Sequence, residues 1–163
     1  EGDPLSVEIA SDGGGYTGQI HLGQQQFPFK AREDAGRLQG TFAGVLGMEF
    51  THLAPDRVAA RVTVRPEHKQ PWGIVHGGAV MTLADTVAGA GAYMNLERGR
   101  ETVTVELKIN LVGAVRDGTI HAEALPLHRG RTTSIWETRL TDDTGKLIAV
   151  SLSTHLFLDQ RSP

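Results

Sequence analysis

Cysteine is absent from this chain of 163 residues. Its absence excludes disulfide bonds, thiol catalysis and zinc sites with cysteine ligands, and it leaves the redox compartment open. An excess of charge of one sign is also missing, because 16 basic side chains face 19 acidic ones and the formal net charge is −3. So small an excess provides no electrostatic basis for binding nucleic acid or a membrane surface. We therefore expect neither partner.

Long uninterrupted hydrophobic runs are missing as well. The longest apolar stretch, residues 73–94, contains His76 and Asp85, and an ionisable residue in mid-span is unfavourable in a bilayer. The first ten residues, EGDPLSVEIA, are acidic and lack the apolar segment of a secretory signal. We expect a cytoplasmic protein. Hydrophobic residues make up 39% of the chain, which suits the core of a single domain of this length.

The first 40 residues differ in composition from the remainder. Gly13-Gly14-Gly15 and Gln24-Gln25-Gln26 indicate a loosely structured arm, with a short helix possible over residues 31–39. From Thr41 onward the hydrophobic pattern tightens. We therefore predict an N-terminal arm over residues 1–40 and one folded domain over residues 41–160.

Alternating apolar residues predict strands on both sides of one long helix. Residues 42–50 read as a helical turn that runs into a strand, and residues 57–65 alternate strictly between apolar and polar side chains. Four further strands are predicted at 103–111, 119–127, 132–141 and 146–158. The turns between them are short, and Asp117-Gly118 is a typical hairpin signal. Because short turns join antiparallel neighbours, we predict an α+β fold in which a curled antiparallel sheet packs on a single helix.

The helix predicted from Gly77 to about Leu96 has one stripe that suits a core. Its residues lie at helical spacing and should face the sheet: Val80, Leu83, Val87 and Met94. Asp85 lies on the opposite side. The residues around it are small or apolar: Gly78, Met81, Thr82, Ala88, Gly89 and Ala92.

The setting of Asp85 argues against an ordinary solvated helix residue. A solvated face normally carries Lys, Glu, Gln or Arg, and this face does not. A glycine in a helix costs about 1 kcal/mol relative to alanine, so Gly89 and Gly91 suggest that something packs closely there. We infer that a second subunit covers this face and that Asp85 lines the resulting crevice.

The start of the helix is rich in glycine. Gly73, Gly77 and Gly78 allow a ligand to approach the backbone closely. The first amides of a helix have no internal acceptor and lie at the positive end of its dipole. Such amides can bind a carbonyl oxygen and stabilise negative charge on it. The alternative is a glycine-rich loop that merely turns the chain.

The segment QPWGIVHGGAVMTLAD, from Gln70 to Asp85, resembles the signature of hotdog-fold acyl-CoA thioesterases. It is similar both to the phenylacetate-degradation enzymes and to the Glu-dependent 4-hydroxybenzoyl-CoA thioesterases. The specific feature is His-Gly-Gly at the start of a helix, followed by Leu-Ala and an acid nine residues after the histidine. The resemblance extends over roughly residues 41–158.

This resemblance implies a helix wrapped by an antiparallel sheet and a homodimer, or a dimer of dimers, joined at sheet edges. It implies that the enzyme hydrolyses an acyl-CoA to the free acid and CoA. No metal or other cofactor is expected. It assigns the catalytic acid to Asp85 and the amide that polarises the carbonyl to Gly77. It also implies that His76 orients the loop or contacts the thioester and that Gln70 assists the acid. The site is shared between subunits.

Two departures from the family pattern affect the mechanism. The hydroxybenzoyl-type enzymes have Glu where this chain has Asp85, and the shorter side chain favours activation of water over direct attack on the carbonyl. Gly89 stands where those enzymes carry a hydroxyl side chain able to position water. Two residues are candidates to position the water in place of that hydroxyl: Thr82 and Gln70.

Further residues are candidates for substrate binding. Trp72, beside the glycine loop, is a candidate pocket wall, with Gly78 and Thr82 nearby, whereas Trp136 fits the core better. Arg129 and Arg131 suit the phosphates of CoA, with Thr132 beside them; the alternative is an ordinary solvated turn. The seven histidines form no metal-binding pattern, so we expect no metal site.

Two other functions remain open at this point. Hydratases and dehydratases of the same fold resemble different signatures, which we do not find in this chain. A non-catalytic acyl-CoA sensor would normally carry an added DNA-binding domain, and the first 40 residues show no basic helical pattern to supply one. The helix motif rather than the architecture therefore favours the thioesterase.

Overall fold

The computed structural model describes residues 7–11, 16–22, 25–31, 41–97 and 99–159. The first three ranges are the strands β1 (Val7–Ser11), β2 (Tyr16–Leu22) and β3 (Gln25–Ala31), which form an antiparallel sheet in that order. Composition indicated a loosely structured arm over residues 1–40, and the described part of it forms this small sheet. The division of the chain at residue 40 stays a prediction. The triple glycine and nearly all of the helix suggested over 31–39 lie outside the described residues.

The larger part of the chain is a six-stranded sheet with one long helix. A short helix, α1 (Phe42–Val45), leads into β4 (Met48–Ala54) and β5 (Arg57–Thr63). A 3₁₀ turn (Pro66–His68) precedes the long helix α2 (Gly77–Tyr93). The remaining strands are β6 (Arg100–Leu111), β7 (Thr119–Arg129), β8 (Thr133–Thr141) and β9 (Leu147–Asp159). All pairings are antiparallel, in the order β4-β5-β7-β8-β9-β6.

Helix α2 packs across the inner face of this sheet and contacts every one of its strands. Val80, Leu83 and Val87 are buried, as their spacing predicted, and Met94 packs against the core from the C-terminal end of the helix. Trp136 is fully buried beneath the helix. The predicted α+β architecture, one long helix wrapped by a curled antiparallel sheet, is confirmed.

The hairpin predicted at Asp117-Gly118 is wrong. The turn exists and Gly118 has a positive φ of 85°, but β6 and β7 do not pair. β6 lies at the sheet edge beside β9, whereas β7 lies between β5 and β8. A turn residue reports where the chain reverses, and the choice of partner strand depends on how the sheet closes around α2.

The strict alternation predicted for β6 is broken by a bulge between Thr104 and Glu106. Val103 and Val105, assigned to the buried face, are exposed by 41% and 57%, while the Thr104 hydroxyl reaches α2. After the bulge Ile109 packs against the core, as predicted. One additional residue in a strand reverses the faces of everything on one side of it.

Part of the Asp85 face of α2 is covered by the chain's own sheet and not, as inferred from the sequence, by a second subunit. Ala88 and Ala92 are fully buried. A Cβ built on Gly91 would lie 2.4 Å from the Trp136 ring, so this glycine is required by packing within the chain. Around Gly89 the fit is looser, because a Cβ there would lie 3.9 Å from the His155 ring.

Candidate active site

The loop before α2 is held tightly in shape. The backbone N–H of Gln70 donates to the backbone carbonyl of Ile74 over 2.8 Å, and the backbone N–H of Gly73 donates to the backbone carbonyl of Gln70 over 2.9 Å. Gly73 has a φ of 76°, which only glycine adopts without strain. The His76 amide donates to the carbonyl of buried His68 over 2.8 Å. Gln70, Trp72 and the helix start are thereby brought together on one rigid turn.

His76 is the N-cap of α2. Its Nδ1 accepts a hydrogen bond from the Gly78 amide over 2.9 Å. Gly77 is the first helical residue, and within the described part of the chain nothing accepts from its amide. The free Gly77 N–H therefore lies at the positive end of the helix dipole, where a carbonyl oxygen can accept it.

Asp85 lies midway along α2 and is half-buried. Its Oδ1 accepts a hydrogen bond from the Thr104 hydroxyl on β6 over 2.9 Å. Among the described residues this is the hydrogen bond that holds the carboxylate, and Oδ2 has no partner there. Asp85 is thus a fixed carboxylate with one oxygen available.

A buried histidine lies behind this pair. His155 on β9 is 1% exposed, and its Nδ1 lies 3.4 Å from the Thr104 Oγ1. Its Nε2 lies 3.0 Å from the Ser153 Oγ. Burial lowers the pKa of His155 below its ordinary value of 6.5, and the negative charge of Asp85 opposes that shift in part.

The inner face of the sheet is unusually polar at this point. β9 buries Ser151, Ser153 and His155 while Leu152 and Leu158 are exposed, which is the reverse of an ordinary strand. β8 adds buried Ser134 and Thr138. Asp85 therefore faces a polar region inside the sheet.

The other predicted site residues lie at different places. The Thr82 hydroxyl donates to the Gly78 carbonyl over 2.9 Å, one turn before Asp85. The Trp72 side chain is 77% exposed, and its carbonyl accepts from Arg116 over 3.0 Å. The remaining three lie at the end of β7 and in the β7–β8 turn, and all are exposed: Arg129, Arg131 and Thr132.

Distances along α2 separate these groups within one chain. Gly77 and Asp85 are eight residues apart, which corresponds to about 12 Å along the helix axis. Arg129 lies beyond the opposite end, because its Nη1 is 3.5 Å from the Asn95 Oδ1 after the helix C-terminus. A single chain does not bring the Gly77 amide and the Asp85 carboxylate to the same atom.

Thr104 and His155 lie beside Asp85 in the structure and were not among the residues predicted for the site. Thr104 was assigned to the polar outer side of β6 because the bulge leaves no trace in the hydrophobic pattern. A signal existed on β9, where Ser151, Ser153 and His155 share one face and leucines share the other. A strand inverted in this way indicates a polar interior.

Comparison with known proteins identifies the family. The model of the thioesterase superfamily matches residues 73–149. The 1,4-dihydroxy-2-naphthoyl-CoA hydrolase of Escherichia coli is 31% identical over 120 residues, which cover 74% of this chain and 88% of that protein. The chain belongs to the thioesterase superfamily.

Two further thioesterases are similar to this member of the superfamily. The proofreading thioesterase EntH of Cronobacter turicensis is 34% identical over 116 residues, covering 71% of this chain and 85% of that protein. The crystal structure of a Haemophilus influenzae thioesterase superposes with a TM-score of 0.72 at 27% identity, covering 76% of this chain and 87% of that one. The hotdog fold and the prediction of a thioesterase enzyme that hydrolyses acyl-CoA thioesters are confirmed.

Two expected absences stay predictions. In the ranges that the structure describes, no three His, Asp or Glu side chains are arranged to hold a metal ion. Within the same ranges no helix is long and apolar enough to cross a bilayer.

Proposed function

We propose that Asp85 is the general base of this thioesterase and that the Gly77 amide polarises the thioester carbonyl. The observation that carries the proposal is the hydrogen bond from Thr104 to Asp85. It fixes the carboxylate through Oδ1 and leaves Oδ2 to take a proton. A general base must be held within hydrogen-bond reach of the water that it activates.

The chemistry needs no further group. A water molecule gives its proton to Asp85 as its oxygen bonds to the thioester carbon, and the carbonyl oxygen becomes an oxyanion bound by the Gly77 amide. When the C–S bond breaks, the CoA thiolate takes the proton from Asp85. The products are the free acid and CoA, and we propose that no metal or other cofactor takes part.

The separation along α2 supports a site built from two chains. Because the Gly77 amide and the Asp85 carboxylate of one chain are about 12 Å apart along the helix, one substrate carbon is within reach of both only if they come from different protomers. β6 is suited to this contact, since it is a long edge strand with Val103 and Val105 exposed. We propose a homodimer, or a dimer of dimers, joined at this edge.

The remaining site residues have proposed roles around this centre. We propose that His76 orients the amides at the start of the helix and that Gln70 assists Asp85 across the dimer interface. Three further residues are proposed to line the acyl-binding site: Trp72, Gly78 and Thr82. Exposed Arg129 and Arg131, with Thr132, are proposed to bind the CoA phosphates. Because one relative is a 1,4-dihydroxy-2-naphthoyl-CoA hydrolase, aromatic acyl-CoAs belong in the test panel.

The comparisons favour hydrolysis over the two alternatives considered above. The named relatives are hydrolases or thioesterases, which speaks against a hydratase. They also speak against a non-catalytic sensor.

The test is Asp85→Asn, which keeps the size of the side chain and removes the base. We expect kcat for the best acyl-CoA to fall by about 10²–10⁴-fold, with the melting temperature and CoA affinity little changed. Release of CoA thiol is measured over aromatic, short-chain and long-chain acyl-CoAs. Asp56→Asn, at an exposed turn position, is the matched control for the loss of one charge and should keep wild-type activity.

An Asp85→Asn enzyme that keeps more than about a tenth of kcat would contradict the assignment. Single turnover in ¹⁸O-water distinguishes the two roles of the acid. Label only in the product acid indicates activated water, which we expect, whereas label in the Asp85 carboxylate indicates a nucleophile.

A further inference from the structure

A chain of hydrogen bonds runs from the core of the sheet to Asp85. Its members are Ser153 and His155 on β9, Thr104 on β6 and Asp85 on α2. The distances are 3.0 Å from Ser153 Oγ to His155 Nε2, 3.4 Å from His155 Nδ1 to Thr104 Oγ1, and 2.9 Å from Thr104 Oγ1 to Asp85 Oδ1. The middle contact, from His155 Nδ1 to Thr104 Oγ1, is longer than a typical N–H···O hydrogen bond.

The protons available on these side chains give this series of hydrogen bonds a single direction. An ionised carboxylate only accepts, so the one hydroxyl proton of Thr104 points to Asp85. Thr104 Oγ1 can then only accept from His155, and the imidazole proton must lie on Nδ1. In a neutral ring Nε2 is then an acceptor, and the Ser153 hydroxyl donates to it.

We propose that Thr104 and His155 are positioning residues that hold Asp85 in its catalytic orientation, an inference that rests on the proposed role of Asp85 as general base. The three side chains come from three different elements, and neither Thr104 nor His155 is required to touch the substrate. His155 fixes the rotamer of Thr104, and Thr104 fixes Oδ1 of the carboxylate. Oδ2 is thereby kept aimed at the water.

The neighbouring residues explain why His155 serves as a neutral donor. The ring is almost fully buried, and burial lowers its pKa. Gly89 faces it from α2 without a side chain, at 3.9 Å from the Cβ position to His155 Cε1. Gly89 therefore supplies no hydroxyl from the helix. The hydroxyl that bonds the acid comes instead from Thr104 on the sheet.

The experiment compares four variants with Asp85→Asn in parallel. Thr104→Val removes the hydroxyl at nearly constant volume, and we expect kcat to fall about 10–100-fold because the base is misplaced, with KM little changed. Thr104→Ser retains the hydroxyl and should restore most of kcat. His155→Leu should lower kcat, and His155→Asn, which retains a donor near the Nδ1 position, should recover part of it.

Thr102→Val is the matched control. Thr102 lies on the same strand two residues earlier, and its buried hydroxyl has no hydrogen-bond partner in the described structure. Its removal should leave kcat and KM unchanged. A loss at Thr102 equal to that at Thr104, or a loss in Thr104→Ser as large as in Thr104→Val, would overturn the proposal.

Two further results separate this inference from the proposed function. If Asp85→Asn is inactive while Thr104→Val and His155→Leu both keep wild-type kcat, the base stands and the positioning chain is wrong. If Asp85→Asn is active, the base itself is wrong. Two-bond ¹H–¹⁵N NMR of the histidine rings, assigned with His155→Asn, should show the His155 proton on Nδ1. A proton on Nε2 would reverse the direction of the hydrogen bonds and overturn the proposal.

Discussion

Two glycines of α2, two residues apart, have different reasons to be glycine. A Cβ on Gly91 would lie 2.4 Å from the buried Trp136 ring, well inside van der Waals contact. A Cβ on Gly89 would lie 3.9 Å from its nearest neighbour, an ordinary contact. Packing therefore requires glycine at position 91 and merely permits it at position 89.

Alanine at these two positions should have opposite effects on stability. We expect Gly91→Ala to lower the free energy of unfolding by about 1–3 kcal/mol, because the rigid ring cannot move aside without strain. Gly89→Ala should raise it by up to about 1 kcal/mol through helix propensity. Urea unfolding of both variants measures the difference. Destabilisation of Gly89→Ala by as much as Gly91→Ala would show that the packing around Gly89 has been misjudged.

The N-terminus of α2 is the element that supplies the proposed oxyanion donor. Gly77 is its first residue, and proline is well tolerated there because the amide has no partner inside the helix. His76 before it has φ −66° and ψ 135°, a conformation compatible with a following proline. The backbone N–H can thus be deleted without breaking the helix.

Gly77→Pro should lower kcat by about 10²–10³-fold, the usual cost of losing one oxyanion donor. Gly77→Ala is the matched control, since it adds a Cβ and keeps the N–H. In both variants the new Cβ meets the Leu111 Cδ1 at 2.7 Å, and this half-exposed side chain can move aside. The prediction is contradicted if the two variants, both folded by circular dichroism, lose kcat to the same extent.

The whole molecule decides whether the two halves of the site meet. In one chain the Gly77 amide and Asp85 lie about 12 Å apart along α2, and β6 leaves an edge with exposed valines at positions 103 and 105. A twofold axis beside such an edge places the same patch of each protomer against the other. The dimer would then hold two equivalent sites.

Subunit mixing tests this arrangement. Gly77→Pro and Asp85→Asn, each inactive alone, are unfolded together in urea and refolded. Random pairing makes half of the molecules heterodimers with one intact site of two, so about a quarter of the wild-type activity should return. Light scattering should give the mass of a dimer or a dimer of dimers. A monomer, or no recovery from a mixture shown to contain heterodimers, would refute the shared site.

Local patterns in the chain predicted most of the fold. The spacing of Val80, Leu83 and Val87 identified the buried stripe of α2, and strict alternation identified β5, because burial repeats with the period of each element. The segment from His76 to Asp85 identified the family, since both residues lie on one continuous loop and helix. These features depend only on neighbours within a few residues along the chain.

Contacts between distant segments were beyond the reach of such patterns. The pairing of β6 with β9, and not with β7, follows from the closure of the sheet around α2. The bulge in β6 placed the hydroxyl of Thr104 on the side of α2, and the packing of β9 placed His155 behind it, 51 residues away along the chain. Gly91 was attributed to a second subunit because the sequence does not reveal that Trp136 lies against it. Each of these outcomes depends on which surfaces meet in three dimensions, and a one-dimensional pattern carries no information about that.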